Sequence, residues 1–197
     1  MSTSSTSGRR RDVVIAGHDG DESTIRAGLV DEAGDVREAA LGALARCDSL
    51  DVATLTQFAG DHDARVRRRV AELAAHFVDF DLAPLLSDDD DSVVEMATWS
   101  CGEHEVVSDA VLDQLSTIAQ SHDDALVREA AVAALGAIGD ERGLPAILHG
   151  CRDKPAIRRR AVLALAPFDG PEVEAALEAA RNDRDWQVRQ SVEDVAG

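Results

Sequence analysis

The chain has 197 residues, and 38 Asp and Glu against 20 Lys and Arg give a formal net charge of −18 at pH 7. This excess of negative charge disfavours nucleic acids as partners, because it repels the phosphate backbone. No apolar run approaches the roughly 18 residues that a membrane-spanning helix needs, and the apolar stretch 13–16 is too short for a signal peptide. We therefore expect a cytoplasmic protein without membrane insertion.

The acidity has two interpretations. It provides an acidic face for a basic partner, or it reflects adaptation to a salt-saturated cytoplasm, where screening makes a large like-charge excess tolerable. The chain has 25 Asp residues and a single lysine, Lys154, and this composition resembles that of proteins from extremely halophilic archaea. Three Cys residues without a CxxC spacing indicate neither a disulfide framework nor a zinc site.

The N-terminal segment 1–21 is predicted to be disordered or irregular. Ser, Thr and Gly residues precede an Arg run at 9–11, and turn-forming residues cluster at 17–20. The following segment, 22–31, is predicted to form a short helix that caps the N-terminal end of the array described next.

A repeated helix pattern occupies the rest of the chain. In its clearest copy, 124–148, Val127, Ala131 and Leu135 lie at i, i+4 and i+8 on one helix face. The first of these positions, which we call the anchor, recurs at intervals of 27 to 34 residues as Val36, Val66, Val93, Val127, Ile157 and Val188.

A shorter second helix is predicted after each of the first five anchor helices, at 51–59, 81–86, 108–120, 142–149 and 171–180. Fixed-period helical hairpins of this kind stack so that neighbours bury one continuous core. The pattern predicts an all-α, right-handed α-solenoid of about five and a half hairpins, as one domain over 22–197.

The pattern Asp-x-x-x-x-Val-Arg-x-x-Ala-x-x-Ala-Leu resembles HEAT repeats, specifically the short subclass named after phycobilisome-lyase subunits. The copies at 34–58, 124–148 and 154–177 match it best, and the copy anchored on Val93 departs most, with Val94 in place of Arg. In subclass, size and composition the chain is similar to HEAT-like taxis proteins of extremely halophilic archaea. That resemblance implies a role between chemotaxis signalling proteins and the archaeal flagellar motor.

An Arg follows most of the anchors. In HEAT-like repeats this Arg typically reaches an Asp in the turn before the helix of the same or the next repeat, in a geometry that fixes both side chains. The resemblance therefore implies an Arg–Asp ladder that ties repeats together without a ligand. Its expected members are Arg37, Arg67, Arg128, Arg158 and Arg189 with Asp61, Asp123, Asp153 and Asp183, and Asp31 and Asp88 occupy equivalent turns.

Two further features are candidates for partner binding. In each of the Arg runs at 67–69 and 158–160, one Arg belongs to the ladder and the other two do not. These two either counter the charge of nearby Asp residues or bind an acidic partner such as a receiver domain. The copy anchored on Val93 adds Met96 and Trp99, and Met and Trp are favoured at interaction surfaces. Trp99 either fills the core or is exposed for contact with a partner. The candidates are Arg68, Arg69, Arg159, Arg160, Met96 and Trp99.

Motifs for catalysis or cofactor binding are absent from the sequence. There is no GxSxG, HExxH or Gly-rich phosphate loop, and the Asp run 88–91 fits a helix cap better than a calcium loop. His104 precedes Glu105, but a di-iron hydroxylase built on HEAT-like hairpins would need several such pairs.

We therefore expect a non-catalytic adaptor or scaffold for other proteins in signal transduction, with no cofactor. The alternative is a HEAT-like subunit of an enzyme system, such as a bilin-lyase-type or cofactor-assembly factor. A HEAT-like DNA glycosylase is disfavoured, because the second helices are acidic where DNA would require a basic groove.

Overall fold

The computed structural model describes residues 5–104 and 106–196. Within these residues all regular secondary structure is helical, which confirms the predicted all-α class. The chain divides into two compact units, Met1–Asp81 and Leu82–Gly197, and this division falls inside the segment 22–197 that the sequence predicts to be one domain. None of the described helices is both long and apolar enough to cross a bilayer.

The described residues of the first unit form two helical hairpins and one further helix. Its helices are α1 (Thr6–Asp19), α2 (Glu22–Leu29), α3 (Gly34–Arg46), α4 (Val52–Phe58) and α5 (Ala64–Ala74). The longer helices pack side by side, α1 on α3 and α3 on α5, while α2 packs against α1 and α3, and α4 against α5.

Helix α1 corrects the prediction that 1–21 is disordered or irregular, although residues 1–4 lie outside the described part of the chain. The Ser5 hydroxyl caps the helix by accepting from the Gly8 N–H at 3.2 Å, and Gly20 ends it with a φ of 74°. Val13 and Ala16 are buried against α3 residues in one cluster. Tertiary packing thus stabilises a helix whose polar sequence has little local periodicity.

The described residues of the second unit form seven helices. They are α6 (Asp91–Gly102), α7 (Asp109–Ser121), α8 (Ala125–Ile138), α9 (Leu144–Gly150), α10 (Pro155–Ala164), α11 (Pro171–Arg181) and α12 (Trp186–Ala196). Helices α6, α8, α10 and α12 pack in that order, with α7, α9 and α11 against them. The prediction that each second helix is the shorter one is wrong here for two hairpins, because α7 has 13 residues against 12 in α6 and α11 has 11 against 10 in α10.

The helix predicted at 81–86 is reduced to a single 3-10 turn, Leu85–Ser87. Pro84 explains this difference, because proline lacks an N–H and disfavours the helical region for the residue before it. Leu85 and Leu86 are nevertheless buried, so the turn contributes apolar side chains as a helix would.

All six anchors are buried in the core. The sequence period therefore identified the inward face correctly, and each such side chain stabilises the fold by roughly 1.5–3 kcal/mol relative to an exposed position. The anchors Val36, Val66, Val93, Val127, Ile157 and Val188 are at most 1% exposed.

Small residues let neighbouring helices approach closely. A Cβ on Gly136 of α8 would lie 2.5 Å from the Cβ of Ala164 and 2.6 Å from its Cα, on α10. Only hydrogen fits in that space, so the contact between these helices depends on the absence of a side chain at Gly136.

Candidate interaction surfaces and the Arg–Asp ladder

Arg37 and Asp61 form the clearest pair of the ladder, with side chains only 6% and 7% exposed. Arg37 donates from Nε to Oδ2 of Asp61 at 2.8 Å and from Nη2 to Oδ1 at 2.6 Å. Burial by itself raises the pKa of Asp61. The hydrogen bonds from Arg37 and from the Asp63 N–H, with the charge of Arg37, outweigh burial, so that the pKa lies below its usual value.

The same geometry recurs twice in the second unit. Arg128 donates to the two carboxylate oxygens of Asp153 at 2.8 and 3.0 Å, and Arg158 donates to those of Asp183 at 2.8 and 2.7 Å. The Arg hydrogen bonds lower the pKa of both carboxyls. These planar, two-point contacts fix the guanidinium and the carboxylate in one relative orientation.

Each Arg also binds the turn before its own helix. Arg37 Nη1 donates to the Asp31 carbonyl at 2.8 Å, and Arg67 Nη1 to that of Asp61 at 2.8 Å. One guanidinium therefore joins the backbone of its own turn to a carboxylate 24 or 25 residues later. The sequence left open whether the Asp belongs to the same or the next repeat, and in these pairs it belongs to the next.

The first pair of the ladder was missed by the sequence analysis. Arg9 of α1 donates from Nε and Nη2 to the carboxylate of Asp31 at 2.6 and 3.0 Å. The sequence places Asp31 in a turn equivalent to those of the other ladder Asp residues. A ladder Arg precedes its Asp by 24 or 25 residues, and that distance before Asp31 leads close to the Arg run at 9–11. The assignment of that run to a disordered segment concealed the pair.

The ladder position predicted for Asp123 belongs to His122. His122 Nδ1 accepts from the Asp124 N–H at 3.2 Å, as a ladder carboxylate does in its own turn, and its Nε2 lies 3.8 Å from Oδ1 of Asp91. Asp123 is exposed and contributes its carbonyl to Arg128 at 3.1 Å. Helix α6, the first helix of the preceding hairpin, has buried Val94 in place of the ladder Arg. Without a guanidinium to pair with, a carboxylate is not required in this turn.

Arg189 forms only half of the expected contact. Its Nη1 donates to the Asp183 carbonyl at 2.7 Å, and the side chain is exposed. No hydrogen bond to a carboxylate is found for Arg189 among the described residues, so it lies in the ladder register without the second half of a pair.

In the first of the two spare Arg pairs, Arg69 is neutralised within the protein. Arg69 hydrogen-bonds Glu38 of α3 and donates to Glu72 at 2.9 Å. Arg68 and Arg69 line a cavity of about 320 Å³ together with Arg10, Arg65, Asp35 and Glu38. Arg69 therefore joins α5 to α3 rather than presenting a free cation.

The second pair is more open. Arg159 and Arg160 of α10 lie 4.0 and 3.8 Å from a single carboxylate, Glu129 of α8, and their side chains are 38% and 43% exposed. A cavity of about 320 Å³ between α10 and α12 is lined by Arg159, Arg160, Leu163, Trp186, Gln187, Gln190, Ser191 and Asp194. The structure thus places this Arg pair beside Trp186, which the sequence analysis did not single out as a partner-binding residue.

Met96 and Trp99 both lie on α6. Met96 is half-buried, and Trp99 is 45% exposed, so Trp99 is an exposed apolar side chain rather than a core filler. Neither residue lines the cavity between α10 and α12.

A larger groove of about 710 Å³ lies among α9, α10, α11 and α12, with Leu148, Ala176 and Cys151 in its walls. Burial raises the pKa of the Cys151 thiol to about 11. The thiol therefore stays protonated at neutral pH and is a weak nucleophile.

His104 is buried after the end of α6, and Glu105 lies outside the described residues. In the described part of the chain, 5–104 and 106–196, no three His, Cys, Asp or Glu residues converge in a way that could hold a metal ion.

Comparison with known proteins establishes the family. The model for HEAT repeats matches residues 78–156 and 112–196, so this chain belongs to the HEAT-repeat proteins. A search of curated proteins returns no sequence match.

Solved structures share the fold. YibA of Escherichia coli aligns with a TM-score of 0.74 and 19% identity, over 93% of this chain and 73% of YibA. An engineered protein aligns with a TM-score of 0.64 and 17% identity, over 89% and 94% of the two chains. Human deoxyhypusine hydroxylase aligns with a TM-score of 0.50 and 19% identity, over 98% and 80%. At these identities the likeness shows the HEAT-repeat fold alone.

Proposed function

We propose that the chain is a non-catalytic adaptor that binds another protein. The observation that supports this proposal is the exposure of both tryptophans, Trp99 at 45% and Trp186 at 64%. The core is built from aliphatic side chains and a few Phe residues, and only 3% of all residues are aromatic. Trp is enriched in the energetic centres of protein interfaces, so its placement on the surface favours binding rather than packing.

The ladder supports the same proposal, because its Arg residues are bound within the protein and have a structural role. Arg37, Arg128 and Arg158 are occupied by carboxylates and carbonyls of the protein itself. They hold neighbouring helices in position and leave the exposed side chains as the part of the molecule available to a partner.

The specific role we propose is signal transduction, with taxis signalling to the archaeal flagellar motor as the particular pathway. Its support is the resemblance in repeat subclass, size and acidic composition. The partner would then be a chemotaxis protein or an adaptor of the motor.

Co-purification from a native high-salt lysate tests the role. We expect the tagged chain to recover a taxis component in stoichiometric amount, and Trp99→Ala or Trp186→Ala to reduce that recovery at least several-fold. The matched control is Val30→Ala, which removes an apolar side chain that is 81% exposed elsewhere on the surface. Recovery of no taxis component would overturn the pathway, and recovery of a pigment-binding or cofactor-dependent enzyme would favour the alternative role in an enzyme system.

A further inference from the structure

We propose that the cavity between α10 and α12, lined by Arg159, Arg160 and Trp186, binds a short acidic peptide segment in which carboxylates flank one large apolar side chain. The proposal deepens the adaptor function, on which it rests, by assigning a surface and the chemistry of its partner.

The positive charge of this cavity is only partly compensated. Arg159 and Arg160 share Glu129 at 4.0 and 3.8 Å, whereas the ladder pair of Arg37 and Asp61 lies at hydrogen-bond distances of 2.6 and 2.8 Å. Two guanidinium groups that share one distant carboxylate keep donors free for a ligand.

The opposing charges near the cavity are few. Asp194 is the acidic residue in its lining, and its other polar members, Gln187, Gln190 and Ser191, are neutral. By contrast, Arg69 at the other Arg run is bound to both Glu38 and Glu72. Arg159 and Arg160 are therefore less closely paired than Arg69.

The apolar part of the cavity comes from Trp186 and Leu163. Trp186 is 64% exposed in the first turn of α12, and Leu163 of α10 lines the same space. An indole with most of its surface in water stabilises a complex when an apolar side chain covers it.

Size and charge together define the occupant. A volume of about 320 Å³ is at the lower end of the range of roughly 300–1,000 Å³ for small-ligand pockets, so it admits a few side chains of a peptide rather than a folded domain. The guanidinium pair selects carboxylates through its local hydrogen-bond donors.

Tryptophan fluorescence provides a direct test on the full-length chain. The chain has two Trp residues, so the Trp99→Phe variant leaves Trp186 as the sole reporter. The probe is a capped heptapeptide, Gly-Asp-Asp-Leu-Asp-Asp-Gly, titrated at the lowest KCl concentration at which circular dichroism shows full helicity. We expect a saturable change in Trp186 emission with a Kd of about 0.1–1 mM.

Two control peptides separate the two parts of the proposal. Replacing Leu by Ser removes the apolar contact, and replacing each Asp by Asn removes the charge. We expect each change to weaken binding about tenfold or more. Equal binding of the Asn peptide would overturn the acidic part of the assignment, and equal binding of the Ser peptide would overturn the apolar part.

Variants locate the site. Arg159→Gln with Arg160→Gln is expected to weaken binding of the Asp-Leu peptide about tenfold, whereas Arg68→Gln, at the other Arg run, is expected to leave it unchanged. Both variants are checked by circular dichroism and urea unfolding. Unchanged binding in the double variant, or no saturable binding to the parent, would overturn the assignment.

This test is independent of the adaptor test. If the peptide fails while the native complex is recovered, the cavity assignment is wrong and the adaptor role stands. If the peptide binds as expected and no native complex is found, the cavity assignment stands and the adaptor role is wrong.

Discussion

Arg158 of α10 donates two hydrogen bonds to the carboxylate of Asp183, 25 residues further along the chain, at 2.8 and 2.7 Å. A third hydrogen bond, to the Asp153 carbonyl at 2.8 Å, joins the same guanidinium to the turn before its own helix. One side chain therefore joins two successive repeats, and its removal affects both.

Replacing Arg158 by Ala should destabilise the fold strongly. The side chains of Arg158 and Asp183 are both largely buried, and removing one partner of a buried ion pair costs about 3–5 kcal/mol, because the other charge is left uncompensated. Urea unfolding at constant salt measures the loss. Arg189→Ala is the matched control, since Arg189 is exposed and, among the described residues, its side chain is found bound to a carbonyl and not to a carboxylate. An equal loss in the two variants would contradict the ladder as the stabilising feature.

The ladder carboxylates should make stability fall in acid. Hydrogen bonds from Arg158 and Arg128 lower the pKa values of Asp183 and Asp153 in the folded state. Their contribution is fully present above the unfolded pKa of about 4 and is lost as the pH falls through the lower folded values. We expect the urea midpoint to be nearly constant between about pH 5 and 7 and to decrease below about pH 4.

The variant Asp183→Asn identifies the carboxyl responsible. It should be less stable than the parent at pH 7, and its midpoint should depend less on pH below about pH 4. A parallel pH dependence in the variant and the parent would assign the acid sensitivity to other groups.

The pair of Val94 and His122 should be convertible into a standard ladder pair. Val94→Arg alone places a charge at a buried position without a carboxylate to receive it, and we expect it to be destabilising. Adding His122→Asp supplies the carboxylate at the position that Asp153 and Asp183 hold in their turns. A double-mutant cycle in urea should give a favourable coupling of about 1 kcal/mol or more. A coupling near zero would show that the two positions are not equivalent to a ladder pair.

The close contact of α8 and α10 should be sensitive to a single methyl group. Gly136→Ala places a Cβ 2.5 Å from that of Ala164, and such overpacking costs about 1–3 kcal/mol. Gly60→Ala is the control, because a Cβ there would meet nothing within 4 Å. Thermal unfolding should show a lower Tm for Gly136→Ala alone. A similar Tm for the two variants would mean that the helices separate at little cost.

The repeat period determined much of the fold. The anchors from Val36 to Val188 were identified from spacing alone, and all are buried, because a 3.6-residue apolar stripe has no other stable position than the core. The succession of paired helices followed from the same period, and the family match to HEAT repeats over 78–196 agrees with it.

Other features depended on contacts that the sequence does not show. Helix α1 has a polar sequence, and its stability comes from packing on α3 and from the pairing of Arg9 with Asp31. His122 replaces the expected Asp123 because the turn register, and not the residue type, decides which side chain caps the turn.

For the candidate site, the sequence determined the residue types but not which side chains lie next to them in the folded protein. The runs at 67–69 and 158–160 both consist of three Arg residues. In the folded protein Arg69 is neutralised by two Glu residues, whereas Arg159 and Arg160 lie beside an exposed Trp186. Which charges are compensated depends on distances of a few ångströms between different helices, because both ion pairing and desolvation change steeply over that range. Repeat spacing determines the helices, and only their packing decides which side chains remain available to a partner.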